Sequence, residues 1–219
     1  MSTQMNKDVC CPHCGAAVKT QMWPGIDAQE NPELRAHVLD ETLFDWKCPG
    51  CGYEAQFVYP CLYHDRSKKF MIYVVPNGND CSLQAVDVSG EFPQYNGMMK
   101  RVVTSLAGLK EKILIFESGL NDYAVELAKL ALTDVAGKKH GETVSEGYFC
   151  SAEQEAGRIE FSFFLEGEKD PVRQSTRMDV YNKSLEIVES VGTQAAGGEF
   201  RSVDSAAAQE VLRAYREEV

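Results

Sequence analysis

The chain has 219 residues, and 33 Asp and Glu against 22 Lys and Arg give a formal net charge of −11. With 44% hydrophobic and 25% charged residues it can build a packed core of one large or two small domains, which excludes a disordered chain. The acidic balance disfavours a nucleic-acid partner, and no apolar run reaches the ~20 residues of a membrane helix.

Met1 to Lys7 is polar and lacks the apolar centre of a signal peptide, so the expectation is a cytoplasmic protein with reduced thiols. Eight cysteines in that setting point to metal or redox chemistry rather than to disulfides. Four of them form two matched pairs, Cys11-Pro-His-Cys14-Gly and Cys48-Pro-Gly-Cys51-Gly. Two residues between cysteines let both sulfurs reach one ion. The proline presets φ for the turn, and the glycine permits φ > 0. Thiolate suits zinc, which takes four ligands in a tetrahedron. The pattern therefore assigns Cys11, Cys14, Cys48 and Cys51 to one structural Zn2+, in a closed set with no position left for catalysis. A rival reading exists, because Cys11-Pro-His-Cys14 alone looks like the redox motif of thioredoxin-fold thiol oxidants. That motif follows an apolar strand, and none precedes Cys11. Cys10 is expected to be a bystander, His13 an exposed turn residue, and Cys61, Cys81 and Cys150 buried thiols without metal. His37, His64 and His140 are scattered and suggest no site.

The 33 residues from Gly15 to Lys47 carry an insert. Asn31 suits an N-cap, Pro32 the first helical position, and Leu34, Val38 and Leu39 an apolar stripe, which predicts a short helix. Phe44 and Trp46 alternate with Asp45 as in a strand. Ala55, Phe57 and Tyr59 alternate likewise, a turn is expected over His64–Lys69, and Phe70–Val75 follows as the second strand of a hairpin. Pro76–Asp80 reads as a break. Arg101–Leu132 reads as two helices in a hairpin. Val102, Leu106, Leu109, Ile113 and Phe116 line the first, and Leu120, Ala124, Leu127, Ala128 and Ala131 line the second. Gly119 stops the first, Asn121 or Asp122 starts the second, and the alanines would allow close approach. Tyr148–Cys150 and Ile159–Leu165 predict a hairpin, Thr176–Val180 a third strand and Tyr181–Val191 a helix. A Gly-rich loop over Thr193–Glu199 and a helix after Val203-Asp204 complete the chain. Lys68-Lys69, Lys100-Arg101 and Lys138-Lys139-His140 are expected to be solvated.

The doubled C-P-x-C-G, with Asn31-Pro-Glu-Leu-Arg35, Tyr63-His-Asp65 and the stretch Leu109 to Asp122, resembles the bacterial and archaeal CpXC family over residues 8 to about 132. The resemblance implies a zinc ribbon held by Cys11, Cys14, Cys48 and Cys51 and implies no activity. Two departures stand out. Cys10 is an extra thiol, and Asn121-Asp122-Tyr123 replaces an acidic pair followed by a basic residue. Glu117, Asn121, Asp122 and Glu126 are read as capping and solvated groups rather than as acid–base catalysts.

The expected class is α+β: an N-terminal four-cysteine zinc ribbon with a helical insert, then a β-hairpin, a helical hairpin and a C-terminal α+β portion. The expected divisions are 8–76, 77–139 and 140–219, the last two able to form one continuous domain. The expected role is non-enzymatic binding or scaffolding of a protein partner. A redox-responsive thiol switch, in which Cys10 supplies a resolving thiol, is the alternative. A nucleic-acid-binding ribbon is disfavoured by charge.

Overall fold

The computed structural model describes residues 1–76, 97–193 and 199–218. Cys81 and most of the segments expected as a break after Pro76 and as a Gly-rich loop after Thr193 lie outside them. The chain forms two compact units, Met1–Lys110 with Gly198–Phe200, and Glu111–Gly197 with Arg201–Val219.

The first unit opens with two strands that the sequence reading missed, β1 (Thr3–Cys10) and β2 (Ala17–Asp27). They were illegible because β1 is polar and exposed almost throughout, so no apolar alternation marks it. The two pair antiparallel from Cys10↔Ala17 to Met5↔Met22 and resume at Thr3↔Gly25, which leaves one extra residue on β2. Pro24 sits in that bulge, where its missing N–H breaks no ladder bond. The Trp23 amide donates to Tyr59 Oη at 3.0 Å, and the Trp23 carbonyl accepts from Cys61 Sγ at 3.0 Å.

The inserted helix is present as α1 (Pro32–Leu39), with Leu34 and Val38 buried. Asn31 stands at its N-cap, but its side chain donates to Glu33 Oε1 at 2.8 Å instead of capping. A short 3-10 turn over Thr42–Phe44 leads into β3 (Asp45–Lys47), which pairs antiparallel with β4 (Glu54–Gln56).

The expected hairpin partner of Phe70–Val75 is corrected. β6 (Phe70–Val74) pairs antiparallel not with β4 but with β5 (Cys61–Asp65), which takes in His64 and Asp65 from the expected turn. The reason is local. Asp65 Oδ1 accepts from the Ser67 amide, the Ser67 hydroxyl and the Lys68 amide, which starts the turn one residue after the strand ends. β7 (Met99–Val103) lies parallel to β6. It claims Val102 from the expected helix, as β-branched pairs favour strand. Lys100 and Arg101 are buried in it rather than solvated. The resulting sheet has the order β1-β2-β5-β6-β7, with Ile26, Tyr63, Phe70, Met71 and Ile72 buried.

α2 (Leu106–Glu117) starts where Ser105 Oγ accepts from the Gly108 amide and continues into the second unit. Gly119 ends it at φ +71. Asn121 Oδ1 then caps α3 (Asp122–His140) by accepting from the Tyr123 and Ala124 amides. Ala124 and Ala128 are buried as expected, Ala131 is exposed, and α3 lies against α4 (Asp179–Ser190) and α5 (Ser205–Glu218). A three-stranded antiparallel sheet completes the unit, β8 (Val144–Glu153), β9 (Arg158–Leu165) and β10 (Val172–Arg177). β10 starts and ends earlier than the expected Thr176–Val180, because Met178, the N-cap of α4, already has helical dihedrals. Among the described residues no helix is long and apolar enough to cross a membrane.

Candidate metal centre

The two C-P-x-C-G segments close as the same turn. The Cys11 amide donates to the Ala16 carbonyl at 2.9 Å and Gly15 N–H to the Cys11 carbonyl at 2.9 Å. The Cys48 amide donates to the Tyr53 carbonyl at 2.8 Å and Gly52 N–H to the Cys48 carbonyl at 2.8 Å. Gly15 and Gly52 take φ of +70 and +73, which a side chain adopts only with strain. Each turn joins a pair of strands, β1 to β2 and β3 to β4. The first knuckle thus belongs to the five-stranded sheet, and only the second sits on a separate two-stranded ribbon.

The turns bring four thiols together. Cys11 Sγ lies 3.7 Å from Cys51 Sγ, Cys14 Sγ lies 3.8 Å from Cys48 Sγ, and all four sulfurs fall within 4.8 Å of one another. Such a set can hold a metal ion. Cys11 and Cys48 are buried, while Cys14 and Cys51 are exposed. The thiols compete for their protons. Burial opposes the Cys11 thiolate, but the amides of Cys14 and His13 and the neighbouring thiols bring Cys11 down to about 7. The Tyr53 amide favours the Cys51 thiolate, yet burial and the other three thiols push Cys51 up to about 12. A cation held there would relieve that competition by taking all four as thiolates.

Apolar packing fixes the base of the site. Cys11, Trp46 and Cys48 form one buried cluster with Val9, Val18 and Phe57 against it. Trp46 Nε1 donates to Thr20 Oγ1 at 2.9 Å and so ties β3 to β2. Lys47 and Glu54 pair at 2.6 Å across the ribbon.

Among the described residues, the other cysteines and histidines do not join the four. Cys10 is exposed beside Cys11. Cys61 is fully buried, and burial pushes its thiol up to about 12. Cys150 is half-buried, with its thiol also raised by burial. His13 is exposed, as expected, and its ring lies parallel to that of Tyr53, with centroids 5.8 Å apart and 1° between the planes. His37 bonds Thr42 Oγ1 at 2.8 Å, His64 is buried in β5, and His140 is exposed at the end of α3.

A second polar cluster escaped the sequence reading. Asp122 and Glu126, expected to be solvated, are buried with Glu111, Lys112 and Lys129. Their charges alternate along a chain. Glu111 meets Lys129 at 2.8 Å, Lys129 meets Glu126 at 3.0 Å, Glu126 meets Lys112 at 3.2 Å, and Lys112 meets Asp122 at 3.4 Å. The Phe149 amide adds a bond to Glu111 at 2.7 Å. Burial opposes the Lys112 charge, but Asp122, Glu126 and Glu111 outweigh it and raise its pKa. Burial dominates at Glu126 and raises its carboxyl. The spacing of 122, 126 and 129 on one helix face was the signal available.

The model of the CpXC protein family matches residues 9–129, more than half of the chain and both cysteine pairs. No curated protein and no solved structure matches the chain. The doubled knuckle, the clustered thiols and this match agree: the chain belongs to the CpXC protein family.

Proposed function

We propose that Cys11, Cys14, Cys48 and Cys51 hold one structural Zn2+, and that the protein is a non-enzymatic, cytoplasmic binding or scaffolding component. The sulfur spacing carries this reading. A tetrahedral zinc–thiolate centre with bonds of about 2.3 Å has sulfur–sulfur edges of about 3.8 Å. The Cys11–Cys51 and Cys14–Cys48 sulfur pairs lie at 3.7 and 3.8 Å. Four thiolates fill the coordination sphere and leave no position for a substrate or water. The net charge of −11 supports a protein partner over a nucleic acid.

The test is elemental analysis of wild type and Cys48→Ser, with Co2+ substituted for zinc as a spectroscopic probe. The expected outcome is one zinc per chain in wild type and its loss in Cys48→Ser. The Co2+ protein should show a tetrahedral tetrathiolate spectrum that added imidazole leaves unchanged. A metal-free, freshly reduced wild type would refute the zinc site. A Co2+ spectrum that shifts with imidazole would refute the closed sphere.

A further inference from the structure

The two knuckles are equivalent in backbone and different in side chain. His13 lies between the cysteines of the first, where the second has Gly50, and Tyr53 follows the second, where the first has Ala16. The two rings lie parallel, with Tyr53 38% exposed. The aromatic pair therefore belongs to one side of the centre only, next to the exposed Cys14 and Cys51. It contributes nothing to the buried cluster of Cys11, Trp46 and Cys48 beneath.

Charge selects what such a side can take. Neither Cys11–Ala16 nor Cys48–Tyr53 contains an Asp, Glu, Lys or Arg. The flanking Lys47 and Glu54 neutralise each other. On the zinc reading, on which this inference rests, four thiolates and one Zn2+ leave two negative charges at the tip. An anionic centre with exposed rings at its rim complements a planar cation. A guanidinium stacks on an aromatic face and donates several N–H groups towards anionic sulfur.

We propose that the His13–Tyr53 side of the metal centre binds an arginine side chain of a partner protein. The probe is the blocked tripeptide Gly-Arg-Gly, titrated into the zinc-loaded full chain and followed by amide NMR shifts. Its counterpart with citrulline in place of arginine removes the charge and keeps the shape, and Gly-Lys-Gly keeps the charge without the plane. The arginine peptide is expected to shift the amides of His13, Cys51 and Tyr53 saturably, with an affinity that falls as salt rises. Tyr53→Ala and His13→Ala are expected to weaken it at least threefold each, with zinc content still one per chain. Equal binding of the arginine and citrulline peptides, or unchanged binding in Tyr53→Ala, would overturn the proposal. Equal binding of the lysine peptide would overturn its specificity for arginine. Failure of the zinc reading is separately visible, because elemental analysis would then find no metal. One zinc per chain without arginine binding sinks this inference alone.

Discussion

Replacing Gly52 by alanine isolates the contribution of knuckle strain to metal binding. Gly52 sits at φ +73, and a Cβ built there meets nothing within 4 Å. The whole cost is therefore conformational, about 1–2 kcal/mol for a left-handed backbone with a side chain. The four thiols converge only when both knuckles close, so this strain appears as weaker zinc binding, by a factor of about 5–30. Gly50→Ala is the control. Gly50 has no positive φ, and its Cβ would meet only Cys48 Sγ, at an ordinary 3.8 Å. Zinc affinities of both variants and wild type are measured by competition with a chromophoric chelator. Gly52→Ala should lose affinity and Gly50→Ala should not. A Gly52→Ala protein that binds like wild type, or equal losses in the two variants, would refute the strain argument.

Other perturbations probe the rest of the molecule. A Cβ at Gly147 would lie 2.8 Å from Phe163 Cδ1 and Cε1, and Phe163 is fully buried against Phe161, so Gly147→Ala should cost about 1–3 kcal/mol by overpacking. Urea unfolding checks this, and Gly147→Ala combined with Phe163→Leu should cost less than the sum of the two single changes. Lys112→Met removes the ammonium that Asp122 and Glu126 share in the interior, and should cost about 3–5 kcal/mol in the same assay. Burial opposes ionisation of Asp27, but hydrogen bonds from the Met1 ammonium and Arg66 hold its carboxyl below the ordinary range. A depressed carboxyl contributes stability that is present above its unfolded value of about 3.9 and is lost as pH falls through the folded one. Asp27→Asn should therefore flatten the acid limb of the stability profile below about pH 4, and an unchanged limb would assign that loss to other groups.

How much was legible follows from what each element needs. The four-cysteine cluster is local chemistry, and Cys11, Cys14, Cys48 and Cys51 carry their own turn residues. The caps read directly as well, since Gly119 and Asn121 act through their own backbone and side chain. Strands β1 and β5 were illegible or misplaced because pairing, not pattern, defines them. β1 is a polar exposed strand beside β2, and His64 and Asp65 belong to β5 because β6 pairs with them. The reading of Asp122 and Glu126 as solvated failed for a similar reason. Charge on a helix says solvent unless a partner of opposite sign is supplied, and Lys112 and Lys129 supply it. Lys100 and Arg101 are buried where the sequence reading put solvent, which a strand position in a sheet accounts for and a helix end would not.

The proline in the β2 bulge has a consequence for the metal site. A strand slipped by one residue would place Pro24 at a rung that asks for an N–H, and would turn the buried Met22 outward. Pro24 thus works as an indexing pin for β2 against β1. The turn between those strands holds Cys11 and Cys14, so the phase of half the metal centre is set from the far half of the strand. An insertion or deletion between Ala17 and Pro24 would leave both cysteines in place in the sequence and still misalign their sulfurs.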